Sequence, residues 1–172
     1  DFYDVHVSEM LNKEYTKERA LTIGNKRSKD GEIYPGDIKK YDESHDTTHY
    51  SIIDSYGNAV SNTYTLGSSF GSGVTVSKGG FLMNNQMRNF SHFYGTEENT
   101  FGSSEANRLE PGKRMISTQT PTLVFDKDDN LMMILGSPGG GRIPNIITQV
   151  ISNVIDHGLS FTEAVMAPRI NQ

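Results

Sequence analysis

The stretch Asp46-Thr47-Thr48-His49-Tyr50-Ser51-Ile52-Ile53-Asp54 stands where a charged segment gives way to the alternation of a β-strand. A threonine hydroxyl is a poor nucleophile at neutral pH and needs a base beside it. The α-amino group of the same residue supplies that base if the preceding peptide bond is cut, and Thr47 would then begin a new chain. Residues 42–46, Asp-Glu-Ser-His-Asp, give the flexible approach such a cut at Asp46-Thr47 requires. On the Thr-Thr pair alone, an edge strand is the simpler reading, because β-branched residues are at home there. The assignment therefore turns on what else the chain brings to Thr47.

Spacing brings a second hydroxyl. Residues 47–66 read as a hairpin: a strand from about Thr48 to Asp54, a turn through Ser55-Tyr56-Gly57-Asn58, and a return from Ala59 to Leu66. Facing residues of an antiparallel pair have numbers with a constant sum, roughly 112 or 113 for this turn, so Thr65 faces Thr47 or Thr48. Further on, Gly136-Ser137-Pro138-Gly139-Gly140-Gly141-Arg142 lies between a strand and a helix. Its backbone N–H groups can converge on an anion near the positive end of the helix dipole. A phosphate loop would need Gly-Lys-Ser/Thr, which is missing, and a close-packed turn is the purely structural alternative.

Other polar groups point to less. His45 and His49 have a separation that suits zinc on a helix, but in an extended stretch they point away from a shared ion. His6, His92 and His157 are isolated and read as ordinary histidines. Arg88, Arg114 and Arg142 read as solvated surface arginines. The turn Asp126-Lys127-Asp128-Asp129-Asn130 resembles a calcium loop without its central glycine and closing glutamate, so no metal site is expected.

The elements that must position these residues follow from period and punctuation. Residues 8–24 read as helical, with Ser8 capping Glu9-Met10-Leu11, Thr16 capping Lys17 to Ile23, and Gly24 as the stop. Residues 26–46 are a polar linker with turn signals at Asp30-Gly31 and Pro35-Gly36. Phe70-Gly71-Ser72-Gly73 is a turn, and Phe81 to Asn84 a third strand. Residues 87–114 show no period and read as a long functional or disordered loop. Thr122 to Phe125 and Leu131 to Leu135 form a second hairpin. Ile143, Ile146, Ile147, Val150, Ile151, Val154 and Ile155 make one helical apolar stripe ended by Gly158. Ser160 with Glu163 is a capping box opening a helix to Ala167, and Pro168 stops it.

At 172 residues, one domain is the prior, yet 34% hydrophobic residues with 17 glycines is low for a self-sufficient globule. A piece that packs against partners outside itself would look like this. The net charge of −5, with scattered Lys and Arg, excludes a nucleic-acid-binding face and an anionic membrane surface, leaving a small or peptide-like substrate. With no cysteine, thiol nucleophiles, disulfides and thiolate metal sites are excluded. No apolar run reaches the roughly 18 residues of a membrane span.

Taken together, Thr47-Thr48-His49-Tyr50-Ser51, Gly57-Asn58-Ala59-Val60, Thr63-Tyr64-Thr65-Leu66, Asn84-Asn85-Gln86-Met87, Pro111-Gly112-Lys113-Arg114, Pro121-Thr122, Gly136-Ser137-Pro138-Gly139-Gly140 and Ala167-Pro168-Arg169 come in order and at close to the spacing of the γ-glutamyltranspeptidases. The chain resembles that family over nearly its whole length. The resemblance implies an α+β fold that is part of the four-layer αββα sandwich of N-terminal-nucleophile hydrolases. Residues 1–46 would be the end of the large subunit and 47–172 a small-subunit core truncated at its C-terminus. It implies γ-glutamyl transfer or hydrolysis, on glutathione and related amides, by an autoprocessed Thr47. Thr65 would orient the nucleophile, and Gly139 and Gly140 would form the oxyanion hole. Ser117 and Thr118 would take the substrate's α-carboxylate, and Gln86 and Asn89 its α-amino group. No cofactor is implied. The partners would be the γ-glutamyl substrate and the remainder of both subunits, with a periplasmic or extracellular location. Two departures stand out: Asn89 where the family usually has aspartate, and Gly67 where many members have asparagine. A poly-γ-glutamate depolymerase, a cephalosporin acylase and a non-catalytic scaffold of the same fold are the alternatives.

Overall fold

The computed structural model describes residues 8, 11–21, 23–24, 46–91 and 105–171. The expected linker over 26–45, His6, His45, His92 and the middle of the long loop lie outside the described residues. The chain forms two units, Asp1–Tyr41 with Arg88–Ile116, and Asp42–Met87 with Ser117–Gln172. Both helix and strand are present.

In the first unit, helix α1 spans Lys13–Leu21. Asn12 opens it, because its Oδ1 accepts the Glu14 N–H at 2.7 Å and so satisfies one of the donors a helix start leaves over. Thr16 is therefore not the expected cap but sits inside the first turn, its hydroxyl donating to the Asn12 carbonyl at 2.9 Å. The helix stops at Leu21, ahead of Gly24. Within 87–114, where no period is expected, a short 3-10 turn covers Glu105–Asn107 and Ser91 bridges Arg108. The organiser is buried Asn107. It donates Nδ2–H to the Asn89 carbonyl at 2.7 Å, accepts the Ile116 N–H on Oδ1 at 2.9 Å, and accepts the Ser91 N–H on its own carbonyl at 2.9 Å. A side chain with both donor and acceptor, helped by its own carbonyl, can tie together segments that have no period of their own.

In the second unit, β1 (Thr47–Ile53) and β2 (Ala59–Thr65) pair antiparallel from Thr47↔Thr65 to Ile53↔Ala59. A short pair follows, β3 (Thr75–Val76) with β4 (Phe81–Leu82). The third expected strand is thus shorter than Phe81 to Asn84, and its partner was not foreseen, since two residues are too few to show alternation. β5 (Thr122–Phe125) and β6 (Leu131–Leu135) form the last hairpin, with a register shift between Val124 and Phe125.

The two longer hairpins turn on the same local chemistry. In each, an aspartate (Asp54, Asp126) accepts the backbone N–H groups two and four residues on, and the side-chain amide of the asparagine four residues on, at 2.7–2.9 Å. The fourth loop position is left-handed in both, Gly57 at φ 85° and Asp129 at φ 61°. Glycine takes that region freely, and aspartate is among the few other residues that tolerate it.

The core lies between β6 and the helices. Helix α2 (Ile143–Ile155) buries Ile143, Ile147 and Val150 on Met133 and Leu135 of β6, and α3 (Phe161–Met166) adds Ala164. The expected stripe is the buried one, except that Ile155 at its end is exposed. Gly158, at φ 68°, turns the chain so that the Leu159 N–H reaches the Asn153 carbonyl at 3.0 Å and Leu159 packs on the core. Ser160 and Glu163 form the capping box reciprocally.

The loop hydrogen bonds, led by those of Asn58 and Asn130, hold the Asp54 and Asp126 carboxyls below their ordinary pKa of 3.8. A carboxylate whose folded pKa is depressed contributes stability in full above the unfolded value and loses it as pH falls through the lower, folded one. Carboxyl-carbon NMR titration should accordingly give both residues midpoints below 3.8, and Asn58→Ala and Asn130→Ala should return them toward it.

Candidate active site

Thr47 is the first residue of β1 and is half-buried, with exposed Asp46 immediately before it. Of the two partners the hairpin spacing allowed, Thr65 faces Thr47 and not Thr48. Thr65 is itself anchored, since its Oγ1 accepts the Gly67 N–H at 2.9 Å. Gly67 is buried at φ 93°, and a side chain there would run into that of Asn85, so this chain has no room for an asparagine at the position. The Asn85 N–H donates to the Leu66 carbonyl at 2.9 Å, and the Gln86 side-chain nitrogen lies 3.3 Å from where a Gly67 Cβ would be. Gln86 is thereby brought to the Thr65 end of the hairpin. Asn89, at the other end of the 3-10 turn Gln86–Asn89, belongs to the first unit.

Successive strand residues face opposite ways, so Thr47, His49 and Ser51 share one face with Ser61, Thr63 and Thr65. That face is attached to β6. Ser51 Oγ donates to the Ile134 carbonyl at 3.4 Å, Ser61 Oγ to the Leu135 carbonyl at 3.0 Å, and the Thr122 N–H donates to Ser61 Oγ at 3.0 Å. His49 stands between, with Nδ1 2.9 Å from Thr63 Oγ1 and Nε2 3.1 Å from Ser51 Oγ. Burial lowers its pKa from the ordinary 6.5, which keeps the ring neutral at neutral pH. The ring lies directly on Gly136, where a methyl group would overlap it. His49 was read only as a non-ligand, yet its odd-numbered place in the strand beside Thr47 already assigned it to this face.

The glycine turn begins at that contact. Ser51 meets Ile134 and His49 meets Gly136, so two residues back along β1 correspond to two residues forward past β6. Gly139 at φ 136° and Gly140 at φ 56° occupy conformations that side chains disfavour, and Gly140–Arg142 forms a 3-10 turn leading straight into α2. The turn borders two cavities. One of about 450 Å³ is lined by Gly139, Arg142, Asn145 and Arg169, and one of about 280 Å³ by His49, Ser51, Gly136 and Ser137. Thr118 Oγ1 donates to the Gly140 carbonyl at 2.9 Å, which puts the Ser117-Thr118 pair at the same turn. Among the described residues, no three His, Cys, Asp or Glu side chains gather as metal ligands, and no helix is long and apolar enough to cross a membrane.

A family model described as gamma-glutamyltranspeptidase matches residues 1–172. The chain belongs to this family. It is 43% identical over 174 residues to a glutathione hydrolase proenzyme of Escherichia coli, covering 99% of this chain and 30% of that relative. Among solved structures it is similar to the gamma-glutamyltranspeptidase of Pseudomonas nitroreducens complexed with L-DON, with a TM-score of 0.65 and 49% identity over 73% of this chain and 65% of that one. It is also similar to the Bacillus anthracis transpeptidase enzyme CapD, with a TM-score of 0.52 and 32% identity over 73% of this chain and 60% of that one. This transpeptidase-family chain thus spans 30% of the length of the curated relative, which is a proenzyme.

Packing of the His49 ring on Gly136 has a measurable consequence. Gly136→Ala should destabilise the protein by about 1–3 kcal/mol, as overpacking does. Adding His49→Ala should recover part of that loss, a departure from additivity of at least about 0.5 kcal/mol in a denaturant-unfolding cycle. Strict additivity would mean that ring and backbone do not meet.

Proposed function

We propose that this chain is the junction and catalytic part of a γ-glutamyltranspeptidase precursor that cuts itself between Asp46 and Thr47 and then transfers or hydrolyses γ-glutamyl groups. The observation that carries this reading is the Thr47↔Thr65 pair at the start of β1, in a chain of this family, with an exposed residue before it. In the precursor, Thr47 Oγ attacks the Asp46 carbonyl, the acyl group moves from nitrogen to oxygen, and water hydrolyses the ester, freeing the α-amino group. In turnover, that amino group takes the Thr47 hydroxyl proton as Oγ attacks the γ-glutamyl carbonyl, and passes it to the departing amine. The Gly139 and Gly140 N–H groups hold the oxyanion, and water or an acceptor amine then releases the γ-glutamyl group. Base and nucleophile come from one residue, so no cofactor is needed.

On this reading residues 1–46 are large-subunit chain and 47–172 small-subunit chain, within a four-layer αββα sandwich whose other parts belong to the same precursor. Tyr50, Ile52, Val60 and Tyr64, exposed on the outward face of the β1–β2 hairpin, form the surface those parts cover. Ser117 and Gln86 face the substrate's amino-acid end, Thr118 stands beside Ser117 at the glycine turn, and Asn89 is the residue that the family pattern sets against the substrate's α-nitrogen. The enzyme works in the periplasm or outside the cell.

Asn89 favours one refinement. A free α-ammonium group is best held by a carboxylate, because a charge-assisted hydrogen bond is roughly twice as strong as a neutral one. Asparagine suits a neutral α-amide, as within a poly-γ-glutamate chain. Two experiments test the reading. Thr47→Ala in the full-length protein should leave one uncut chain with no turnover of a γ-glutamyl anilide; a variant that still matures and works would move the nucleophile to Thr48. Asn89→Asp should raise kcat/KM for glutathione relative to a poly-γ-glutamate oligomer, by roughly tenfold for one charge-assisted bond. An unchanged ratio would remove the refinement and leave the nucleophile in place.

A further inference from the structure

The two residues of the Ser117-Thr118 pair are not placed alike. Thr118 directs its one hydroxyl proton at the Gly140 carbonyl, 2.9 Å away and 22 positions along the chain. Ser117 Oγ accepts the Gln119 N–H at 3.2 Å, which uses a lone pair and leaves its proton for another acceptor. Thr118 has no hydroxyl proton left for a carboxylate.

Its bond also acts at a position that needs holding. The Gly140 N–H belongs to the peptide plane that carries the Gly139 carbonyl, and the Arg142 N–H holds that carbonyl at 3.1 Å. The next plane carries the Gly140 carbonyl, which accepts both the Ile143 N–H and the Thr118 hydroxyl. Glycine at φ 136° and φ 56° permits the turn without enforcing it, because no side chain narrows its rotation. Hydrogen bonds on both sides of the Gly140 Cα therefore fix where its N–H points, and the one from Thr118 is the side-chain member of the set.

Thr118 is braced in turn. Thr120 Oγ1 donates to the Thr118 carbonyl at 2.9 Å and Thr122 Oγ1 to the Thr120 carbonyl at 3.1 Å. The Thr122 N–H then reaches Ser61 Oγ on β2 at 3.0 Å. Residues 118–122 form a strut from the strand that carries Thr65 to the glycine turn.

We propose that Thr118 is a positioning residue: its hydroxyl aims the Gly140 peptide at the developing oxyanion, and Ser117 is left to meet the substrate's carboxylate. This deepens the γ-glutamyl-transfer reading and rests on it. The test is steady-state kinetics of the full-length protein on γ-glutamyl-p-nitroanilide. Thr118→Val should lower kcat by about 10- to 100-fold with KM within about twofold, since the loss is one of alignment in the transition state. Thr118→Ala, without the extra methyl group, should do the same, and Thr118→Ser should restore kcat to within about threefold. Ser117→Ala should show the opposite split, with KM raised and kcat held. Thr118 variants that raise KM and keep kcat, or a serine that fails to rescue, would overturn the proposal while leaving γ-glutamyl transfer standing. A wild-type protein that does not turn over the anilide would overturn both.

Discussion

One face of the β1–β2 hairpin is fastened to β6 by side-chain hydrogen bonds rather than by a strand ladder, and the position of Thr47 depends on that seam. Ser51 and Ser61 reach the Ile134 and Leu135 carbonyls, while His49 fills the space between Thr63, Ser51 and Gly136. Each bond contributes only about 1 kcal/mol net, but leaving a buried partner unmade costs more than the bond gives, so the arrangement has few alternatives. Neutral imidazole donates from one nitrogen and accepts on the other, which suits two hydroxyl neighbours, and burial keeps the ring in that form.

The seam makes the hairpin unusual in section. Its inner face is hydroxyl and imidazole, while Tyr50, Ile52, Val60 and Tyr64 point outward and stay exposed. A hairpin that faces water on one side ordinarily shows the reverse arrangement. Hydrophobic burial in this unit comes instead from β6 and α2, where Ile143, Ile147 and Val150 close on Met133 and Leu135. That packing fixes where α2 begins, and α2 begins at the glycine turn. The glycine turn is thus held both by the apolar core beneath its helix and by polar contacts at Gly136 and Gly140.

Membership of the γ-glutamyltranspeptidase family gives these features a common purpose. On the proposed mechanism the nucleophile is also its own base, so hydroxyl and amino group sit on one residue and are placed together by its backbone. The paired strand, the polar seam and the doubly held glycine peptide each restrain backbone rather than supply reactive groups. Gly67 belongs to the same design, its backbone N–H anchoring Thr65 in a space that admits no side chain.

Local chemistry made much of this legible in the chain. The pairing of Thr65 with Thr47 or its neighbour follows from the length of the Asp54–Asn58 loop, α2 from the spacing of its isoleucines and valines, and α3 from Ser160 and Glu163. All three are set by residues within one turn or one hairpin of each other, where period and capping act directly. The start of α1 was misread because Asn12 and Thr16 both suit a cap, and only the hydrogen bond to the Glu14 N–H separates them. What tertiary structure decided were contacts between residues far apart in the chain: His49 on Gly136, Ser61 with Leu135 and Thr122, Thr118 on Gly140, and Asn107 holding segments on both sides of it. A hydroxyl or amide carries no period and suits many partners equally well in isolation, so its acceptor is chosen only once packing has brought a buried carbonyl within about 3 Å.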